Sequence, residues 1–346
     1  HFNLKNKDQN IQKYEIFKAF LKNSNSFSAN IELPEYSPKP FHEEISFSNN
    51  KLKDIFDIQV SALKRRLVHT NSKSAIVGLS GGIDSAYALM VVVESCKDIN
   101  CKPIPIVLPS IGSSIESQSI AKELAQKLTN TEFEYDLTLI TNNSIDLYSL
   151  SDPLAKENIQ SRLRTTALMT IANEKKGIMV GTGNMSELAI GWCTYNADNM
   201  SMYNPNGGLP KTVLVDLADE ISRFLGVEST IQKILKRPFT PELEKMDNNQ
   251  IPRTTEDRIG LYEVIDFCLY YTLTSSMTRE DALCHAKKIF MDVNDEKIEF
   301  SVNSFYDRFI PAQFKRTIVP DSPKLFSFDL SPRGCLRIPS DIKNPY

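Results

Sequence analysis

Six consecutive residues at positions 80–85, SGGIDS, combine two hydroxyls, two glycines and a carboxylate. Because glycine has no Cβ, the backbone N–H groups of the pair could approach an anion closely. The hydroxyls could donate to phosphate oxygens, and the carboxylate of Asp84 could hold a metal ion beside them. An apolar run at 75–79 and a helix-compatible run at 86–94 flank the hexapeptide. This pattern predicts a buried strand, a glycine turn and a helix N-terminus, whose positive end also favours phosphate.

The hexapeptide differs from the common P-loop, because no Gly-Lys-Ser/Thr follows the glycines. A site that binds pyrophosphate without that lysine is compatible with a reaction in which pyrophosphate is the leaving group. An ordinary strand-to-helix turn with a capping aspartate stays the alternative interpretation.

A second glycine turn at 181–183, GTG, follows another short apolar run. Glu187 falls one turn into a predicted short helix after it, where a solvated position is the alternative. Lys211 begins a later predicted helix, where a cation opposes the helix dipole unless an anion is nearby. Taken alone, this lysine would be interpreted as a surface residue.

The loop between these two residues carries aromatic and polar side chains. Trp192, the only tryptophan, and Tyr195 could stack on a flat heterocycle, or they could pack in a core. Asp198 could accept a hydrogen bond from a ribose or an amide. The four histidines fall in no constellation, so histidine catalysis is not expected.

The elements that must position these groups alternate along the chain. Strands are predicted at 75–79, 104–108, 132–137 and 178–180, and helices at 14–21, 52–67, 86–94, 115–128, 153–175, 212–224, 229–235, 256–273, 279–290 and 304–309. Strand–helix alternation with short connections predicts an α/β fold with a parallel sheet covered by helices on both faces. Both glycine turns then lie at the carboxyl ends of strands, where such sheets bind ligands. The last third is predicted to be helical, with an irregular tail from residue 312.

Composition limits the class of protein. The 346 residues are 41% hydrophobic and 24% charged with a net charge of −3, which is typical of a soluble globular protein and gives no support to nucleic-acid binding. Six scattered cysteines without a CxxC pair argue against zinc and a disulfide scaffold. No apolar run has membrane-spanning length and no signal peptide is visible, so a cytoplasmic location is expected. Residues 1–50 are polar and read as an arm or linker, and 51–346 as one domain.

The hexapeptide and the block GTGNMSELAIGWCTYNADNMSMYNPNGGLPK at 181–211 resemble the NAD synthetase family of N-type ATP pyrophosphatases. The resemblance is greatest to the synthetase domain of the glutamine-dependent type. Four further stretches support it: ENIQSRLR at 157–164, TPELE at 240–244, QFKR at 313–316 and SPRG…PSD at 331–341. It implies a Rossmann-like, adenine nucleotide alpha hydrolase-like fold and an AMP-forming carbon–nitrogen ligase.

The resemblance also implies a reaction. Nicotinic acid adenine dinucleotide, ATP and ammonia would give NAD, AMP and pyrophosphate through an adenylated substrate, with ATP and Mg²⁺ as cofactors and no protein nucleophile. Asp84 and Glu187 would bind Mg²⁺, and with Lys211, which would neutralise charge on pyrophosphate, they are the expected catalytic residues. The expected ATP contacts are Gly78, Leu79, Ser80, Gly81, Gly82, Ile83, Asp84, Ser85, Thr182, Lys211 and Thr240. The expected dinucleotide contacts are Asn158, Arg162, Glu187, Trp192, Cys193, Thr194, Tyr195, Asp198 and Lys315.

Partners follow from the same resemblance. The roughly 50 residues before the core are too few for the nitrilase-like glutaminase of the glutamine-dependent enzymes. The chain is therefore expected to be a trimmed fragment, a stand-alone form fed by free ammonia, or one half of a two-chain system. A homodimer is expected, with the helix at 52–67 as a contributor. The alternatives are another ligase of this class, resembling GMP synthetase or tRNA-modifying enzymes, and a catalytically silent dinucleotide-binding protein.

Overall fold

The computed structural model describes residues 35–48, 51–131, 133–240 and 254–343. The helix predicted at 14–21 and most of the TPELE stretch lie outside these residues. Residues 37–346 form one compact unit. The domain boundary placed at residue 50 stays a prediction.

Four parallel strands form a sheet in the order β3-β2-β1-β4. Their bounds are β1 Ser74–Leu79, β2 Lys102–Val107, β3 Phe133–Glu134 and β4 Ile178–Val180. The central strand β1 pairs with both neighbours, and Ile76 lies opposite Ile104 and Met179. Since all strands are parallel, their carboxyl ends lie at one edge of the sheet, where the two glycine turns begin. The predicted α/β fold with a parallel sheet is confirmed.

Helices surround the sheet. The first six are α1 Pro40–Phe47, α2 Leu52–His69, α3 Ile83–Cys96, α4 Ile115–Thr129, α5 Thr138–Leu147 and α6 Pro153–Glu174. The others are α7 Met185–Ile190, α8 Lys211–Phe224, α9 Glu228–Leu235, α10 Thr255–Ile259, α11 Tyr262–Ser275, α12 Arg279–Ile289, α13 Asp295–Phe309 and α14 Gln313–Arg316. No helix of the described residues is both long and apolar enough to cross a membrane.

The core lies between the sheet and its helices. Ile76, Ile106 and Met179 form one buried cluster with Leu168 of α6. Because side chains alternate along a strand, Ala75 and Val77 point to the opposite face, and both are fully buried. Helix α3, which starts at the SGGIDS loop, contacts β1 and is buried along most of its length. The loop is therefore mounted on a rigid strand and a rigid helix.

Three predicted elements differ from the structure. The single helix predicted at 256–273 is two helices, because Gly260 between α10 and α11 has φ +94 and packs against Ser301. The strand predicted at 132–137 is reduced to the two residues of β3, and α13 begins at Asp295 instead of at residue 304. Helix α5 was missed, because its exposed apolar side chains give no amphipathic pattern.

Candidate active site

Three side chains predicted from the motifs meet at the carboxyl edge of the sheet. Asp84 lies in the first turn of α3, Glu187 in the first turn of α7, and Lys211 is the first residue of α8. The Lys211 ammonium donates to Asp84 Oδ2, and its Nζ lies 3.9 Å from Glu187 Oε1. The lysine side chain is only 3% exposed, whereas both carboxylates are 22% exposed. The ammonium is therefore held on the inner side of a carboxylate pair that solutes can reach.

Two residues that the sequence analysis missed orient these carboxylates. Asn184 donates from Nδ2 to Asp84 Oδ1 at 2.8 Å, and its Oδ1 accepts the N–H of Glu187 at 2.9 Å as the N-cap of α7. Tyr262, the first residue of α11, donates its hydroxyl to Glu187 Oε1 at 2.8 Å. One asparagine thus bridges the starts of α3 and α7. No motif marks it apart from the preference for Asn at N-caps.

Burial and charge set the protonation of this group. Burial and, to a smaller degree, the neighbouring charge of Asp84 raise the pKa of Glu187, while Lys211 opposes them, and the net result is a pKa of about 7. Burial disfavours the charged form of Lys211, but the two carboxylates outweigh burial and raise its pKa overall. The Lys211 Nζ also lies 4.6 Å from the ring centre of Phe239, which favours a cation. The lysine is thus fully charged at neutral pH, and the carboxylate pair is poised to accept a further cation.

The SGGIDS loop has the conformation that its glycines predict. Gly81 has φ +83, and a Cβ there would lie 2.4 Å from the carbonyl oxygen of Ser117. Only glycine therefore fits at this position. The Ser85 hydroxyl donates to Gly82 O at 3.0 Å, and the N–H of Ser80 donates to the Ser85 hydroxyl at 3.2 Å. These bonds shape the turn, while Ser80 and Gly82 remain exposed at its outer surface.

Two buried asparagines join the second glycine turn to the first. Asn206 donates from Nδ2 to Asp84 O and to Thr182 O, both at 3.1 Å. Asn204 donates to Gly183 O at 2.8 Å. Among the described residues, Asn206 Oδ1 is buried without a partner. Both asparagines belong to a segment predicted to be a polar loop, but their exposures of 5% and 0% show that they are interior residues.

A cavity of about 850 Å³ opens in front of these groups. It reaches from the SGGIDS loop to the start of α6 and to the segment after α7. The predicted ATP contacts that line it are Ser80, Gly81, Gly82, Ile83, Asp84, Ser85, Thr182, Lys211 and Thr240. The predicted dinucleotide contacts that line it are Asn158, Arg162, Glu187, Trp192, Cys193, Thr194, Tyr195, Asp198 and Lys315. The structure thus brings together residues that the chain separates by more than 200 positions.

A smaller cavity of about 230 Å³ adjoins the larger one beneath the loop. Gly78 and Leu79, the remaining predicted ATP contacts, line this cavity instead of the larger one. Its walls include the apolar side chains of Leu108 and Met179 at the ends of β2 and β4. Arg164 also lines it and donates to the Ser110 hydroxyl at 2.6 Å. A narrow, mostly apolar slot beside a phosphate-type loop has the shape and polarity to take a flat ring.

Helix α14 fixes the wall of the larger cavity that is formed by the end of α7 and the residues after it. Lys315 donates to the carbonyl oxygens of Gly191 at 2.8 Å and Cys193 at 2.6 Å. The next residue, Arg316, is fully buried and donates to Leu188 O at 3.2 Å and Ala189 O at 2.5 Å. These backbone oxygens terminate α7. Two cations from α14 therefore hold the helix that carries Glu187 at its C-terminal end.

Aromatic side chains lie on the same wall. The Tyr195 ring stacks on Phe314 with 5.7 Å between centroids, and the guanidinium of Arg308 lies 5.9 Å from the ring centre of Trp192. Thr194 donates its hydroxyl to Asn158 Oδ1 at 2.8 Å, which links this wall to α6. Burial raises the pKa of Cys193 to about 12, so its thiol is neutral at physiological pH and is a poor nucleophile.

The NAD synthase family model matches residues 55–313 of this chain. The chain belongs to the NAD synthase family. A glutamine-dependent NAD(+) synthetase of Mycobacterium leprae (strain TN) is 31% identical over 326 residues, which are 84% of this chain and 48% of the relative. The chain therefore spans about half the length of the curated relatives it matches.

Solved structures share the fold of this NAD synthase family member. A glutamine-dependent NAD(+) synthetase from Cytophaga hutchinsonii superimposes with a TM-score of 0.67 at 15% identity, covering 85% of this chain and 55% of that one. An NMN synthetase from Francisella tularensis superimposes with a TM-score of 0.57 at 24% identity, covering 70% and 95% of the two chains. At these identities the likeness establishes the fold alone.

The carboxylate pair of this family member fits a magnesium ion. Among the described residues no group of three or more His, Cys, Asp or Glu side chains could hold a metal. Asp84 and Glu187 together offer oxygen ligands at the end of the phosphate-type loop. Two carboxylates are what Mg²⁺ usually takes from a protein, because it completes its octahedron with phosphate oxygens and water. The two carboxylates are thus compatible with binding a magnesium–nucleotide complex.

Arginines are the other feature of the site that the sequence analysis missed. Arg237, Arg258 and Arg308 line the larger cavity, and none belongs to a motif that was singled out. Arg237 donates to the Ser117 hydroxyl at 2.7 Å, and Arg258 lies 3.9 Å from Glu157. They add positive charge to the cavity wall, which favours a polyanionic ligand.

Proposed function

We propose that this chain catalyses the ATP-dependent amidation of nicotinic acid adenine dinucleotide to NAD, with release of AMP and pyrophosphate. Ammonia is the proposed nitrogen donor of this chain. The observation that carries the proposal is the meeting of Lys211, Asp84 and Glu187 beside a glycine loop with no P-loop lysine. Membership of the NAD synthase family supports it.

The cavities suit two nucleotide ligands. A volume of about 850 Å³ lies near the upper end of the range for small-molecule sites, and the smaller cavity adds a slot for a ring. We place the ATP phosphates against the SGGIDS loop and its adenine in the smaller cavity, under β1, β2 and β4. The dinucleotide then lies along α6 and the Trp192–Tyr195 wall, with its carboxylate towards Glu187 and Lys211.

The proposed chemistry activates a poor electrophile. A carboxylate does not lose oxide to ammonia at neutral pH, so the substrate carboxylate first attacks the α-phosphorus of ATP and pyrophosphate leaves. Ammonia then displaces AMP from the acyl carbon. Asp84 and Glu187 would hold Mg²⁺, which would supply positive charge to the phosphates.

Each residue near the loop has a defined part in this scheme. The exposed hydroxyl of Ser80 and the backbone of Gly82 bind phosphate oxygens. Lys211, charged and fixed from three sides, stabilises the negative charge that grows on the departing pyrophosphate. No protein nucleophile is required, which agrees with the neutral thiol of Cys193.

The first experiment follows NAD formation by the purified chain with ATP and Mg²⁺. Nicotinic acid adenine dinucleotide is supplied with ammonium in one arm and with glutamine in another. NAD from ammonium alone is the expected result. NAD from glutamine, with contaminating glutaminase excluded, would contradict ammonia as the donor.

A third arm replaces the dinucleotide by nicotinic acid mononucleotide, because one structural neighbour is an NMN synthetase. Product from the mononucleotide alone would contradict the proposed substrate but not the ligase chemistry. If none of the arms gives product, the proposal fails, and AMP release with other acceptors would distinguish another ligase from a silent binder. The homodimer, the cytoplasmic location and the separate or removed glutaminase stay predictions.

A further inference from the structure

Asp266 is a buried carboxylate on α11 that lines neither cavity. Its side chain is 2% exposed, and three hydrogen bonds satisfy it. Oδ1 accepts from the Ser186 hydroxyl, while Oδ2 accepts from Thr212 N–H at 3.1 Å and the Thr212 hydroxyl at 2.8 Å. Burial of a carboxylate costs free energy, and the hydrogen bonds from the protein offset that cost. The role of Asp266 therefore depends on which elements its hydrogen bonds connect.

The first element it holds is the start of α8. This helix begins at Lys211, and its N-cap residue is Pro210, which has no side chain able to cap. The N–H of Lys211 donates instead to the Ser186 hydroxyl at 2.8 Å, and the N–H of Thr212 donates to Asp266. Asp266 and Ser186 together thus replace the missing cap, and a carboxylate at a helix N-terminus also favours the helix dipole.

The second element is the start of α7. Ser186 precedes Glu187 in the chain, and it is fully buried against Asp266. One carboxylate on α11 therefore connects the first turn of the helix that carries Glu187 with the first turn of the helix that carries Lys211. The 3.9 Å separation between Lys211 Nζ and Glu187 Oε1 depends on how these two turns are aligned.

We propose that Asp266 is a positioning residue that fixes Lys211 relative to Glu187 for the amidation reaction. The inference rests on the proposed function. Asp266 lines neither cavity and acts through the Ser186 hydroxyl and through the N–H and hydroxyl of Thr212. Because a displacement of about 1 Å in such a group can cost about 100-fold in rate, its loss should appear in kcat.

The test compares Asp266→Asn with Thr272→Val. Thr272 lies on the same helix, is buried, and loses one hydrogen bond to the Tyr306 hydroxyl (2.9 Å) when it is replaced, but it is not bonded to α7 or α8. Asp266→Asn should lower kcat by about 10- to 100-fold with little change in KM for the dinucleotide. Thr272→Val should leave both close to the wild-type values. An equal loss in both variants would indicate a general effect on α11 and overturn the positioning role.

Ser186→Ala, alone and combined with Asp266→Asn, supplies a second test. If Asp266 acts through Ser186, the two substitutions should combine to much less than the product of their separate effects on kcat. Their effects on thermal stability have no reason to show the same coupling. Fully multiplicative losses in kcat would contradict the proposal.

Hydrogen exchange separates this inference from the proposed function, since it needs no substrate. Peptides that cover the start of α8 should exchange faster in Asp266→Asn than in the wild type or in Thr272→Val. Unchanged exchange there would overturn the positioning role, whatever the activity. Failure of the wild-type chain to form NAD would overturn the proposed function alone.

Discussion

Two helix starts face each other across the candidate active site, and they are built in opposite ways. Helix α3 begins after Gly82, which is exposed and carries no side chain, so its positive end is open to a ligand. Helix α8 begins with a buried lysine, and its first two amides are bonded to Ser186 and Asp266 inside the protein. The accessible start of α3, called the open start, can bind an anion. The start of α8, called the closed start, has its first two amides bonded inside the protein and can only fix the position of the Lys211 side chain.

This difference indicates how the site divides its work. In the proposed reaction, a phosphate that binds at α3 would be replaced in every turnover, so its donors would have to be accessible. The ammonium of Lys211 would have to be in place before the charge on pyrophosphate develops, which agrees with its internal support. Substitutions at the two helix starts and at Glu187 between them should differ in their effects, from the largest to the smallest as follows.

Removal of the Lys211 charge should have the largest effect. Lys211→Met should lower kcat for NAD formation by about 100- to 1000-fold, because the charge on the departing pyrophosphate loses its main protein donor. Steady-state kinetics with ammonium as donor measure the loss. Lys236→Met, an exposed lysine after α9, is the matched control and should leave kcat unchanged. A Lys211 variant of near wild-type kcat would contradict the role given to this residue.

The open start of α3 can be closed by one methyl group. Gly81→Ala would place a Cβ 2.4 Å from the Ser117 carbonyl oxygen, so the loop must move and nucleotide binding should be largely lost. Calorimetry with magnesium-ATP measures it. Gly226→Ala is the control, since Gly226 has a similar φ of +72 but nothing within 4 Å of the added methyl. That variant should show only backbone strain, about 1–2 kcal/mol, and should bind nucleotide normally. Equal binding by both glycine variants would show that the loop does not carry the phosphates.

Tyr262→Phe should have an intermediate effect, because it removes one hydrogen bond from Glu187 and leaves the ring beside Lys211. Loss of a hydrogen bond to a charged group corresponds to about 1.5–3 kcal/mol, or about 10- to 100-fold. The loss should appear in kcat and in the magnesium concentration needed for half-maximal rate. Tyr271→Phe on the same helix, which loses the hydrogen bond from Ser37 N–H, should change neither quantity. A wild-type magnesium requirement in Tyr262→Phe would argue against Glu187 as a ligand.

The smallest effect concerns the closed start and its pH dependence. Burial raises the pKa of Asp266 to about 6, from a usual value of 3.8. Between these values the folded chain binds a proton that the unfolded chain does not, so this group lowers the free energy of unfolding as the pH rises from about 4 to 6. Asp266→Asn should lack this contribution. The difference in free energy of unfolding between the wild type and Asp266→Asn, measured by denaturation as a function of pH, should therefore change between about pH 4 and 6 and be constant above that range. Parallel profiles would show that Asp266 does not titrate there.

The sequence predicted the open start better than the closed one, and the reason is physical. The residues of the SGGIDS loop are contiguous. The glycine turn and the strand and helix that flank it are therefore encoded by local sequence and can be predicted without knowledge of distant contacts. Asp84, Glu187 and Lys211 were paired only through the family resemblance, and the structure now places them together. Contacts such as Asp266 with Ser186 join residues 80 positions apart, and no local pattern encodes them.

Some of the missed residues did leave a signal. Asp266 is the one aspartate in the apolar run VIDFCLYY, and a lone charge in such a run indicates a buried partner. Gly260 could have marked the break between α10 and α11. Asn206 and Arg237 gave no such sign, because polar residues in a loop are usually solvated. Their roles depend on which chain segments the fold brings beside them.

The hydrogen bonds of Arg316 with the end of α7 determine which parts of the candidate site can form first during synthesis. The carbonyl groups at the end of the helix that carries Glu187 accept hydrogen bonds from a residue 127 and 128 positions later, so these bonds form only after Arg316 has been synthesised. The SGGIDS loop, its strand and α3 are complete much earlier, since synthesis proceeds from the N-terminus. A nascent chain would therefore acquire a phosphate-binding turn before it acquires a working reaction centre.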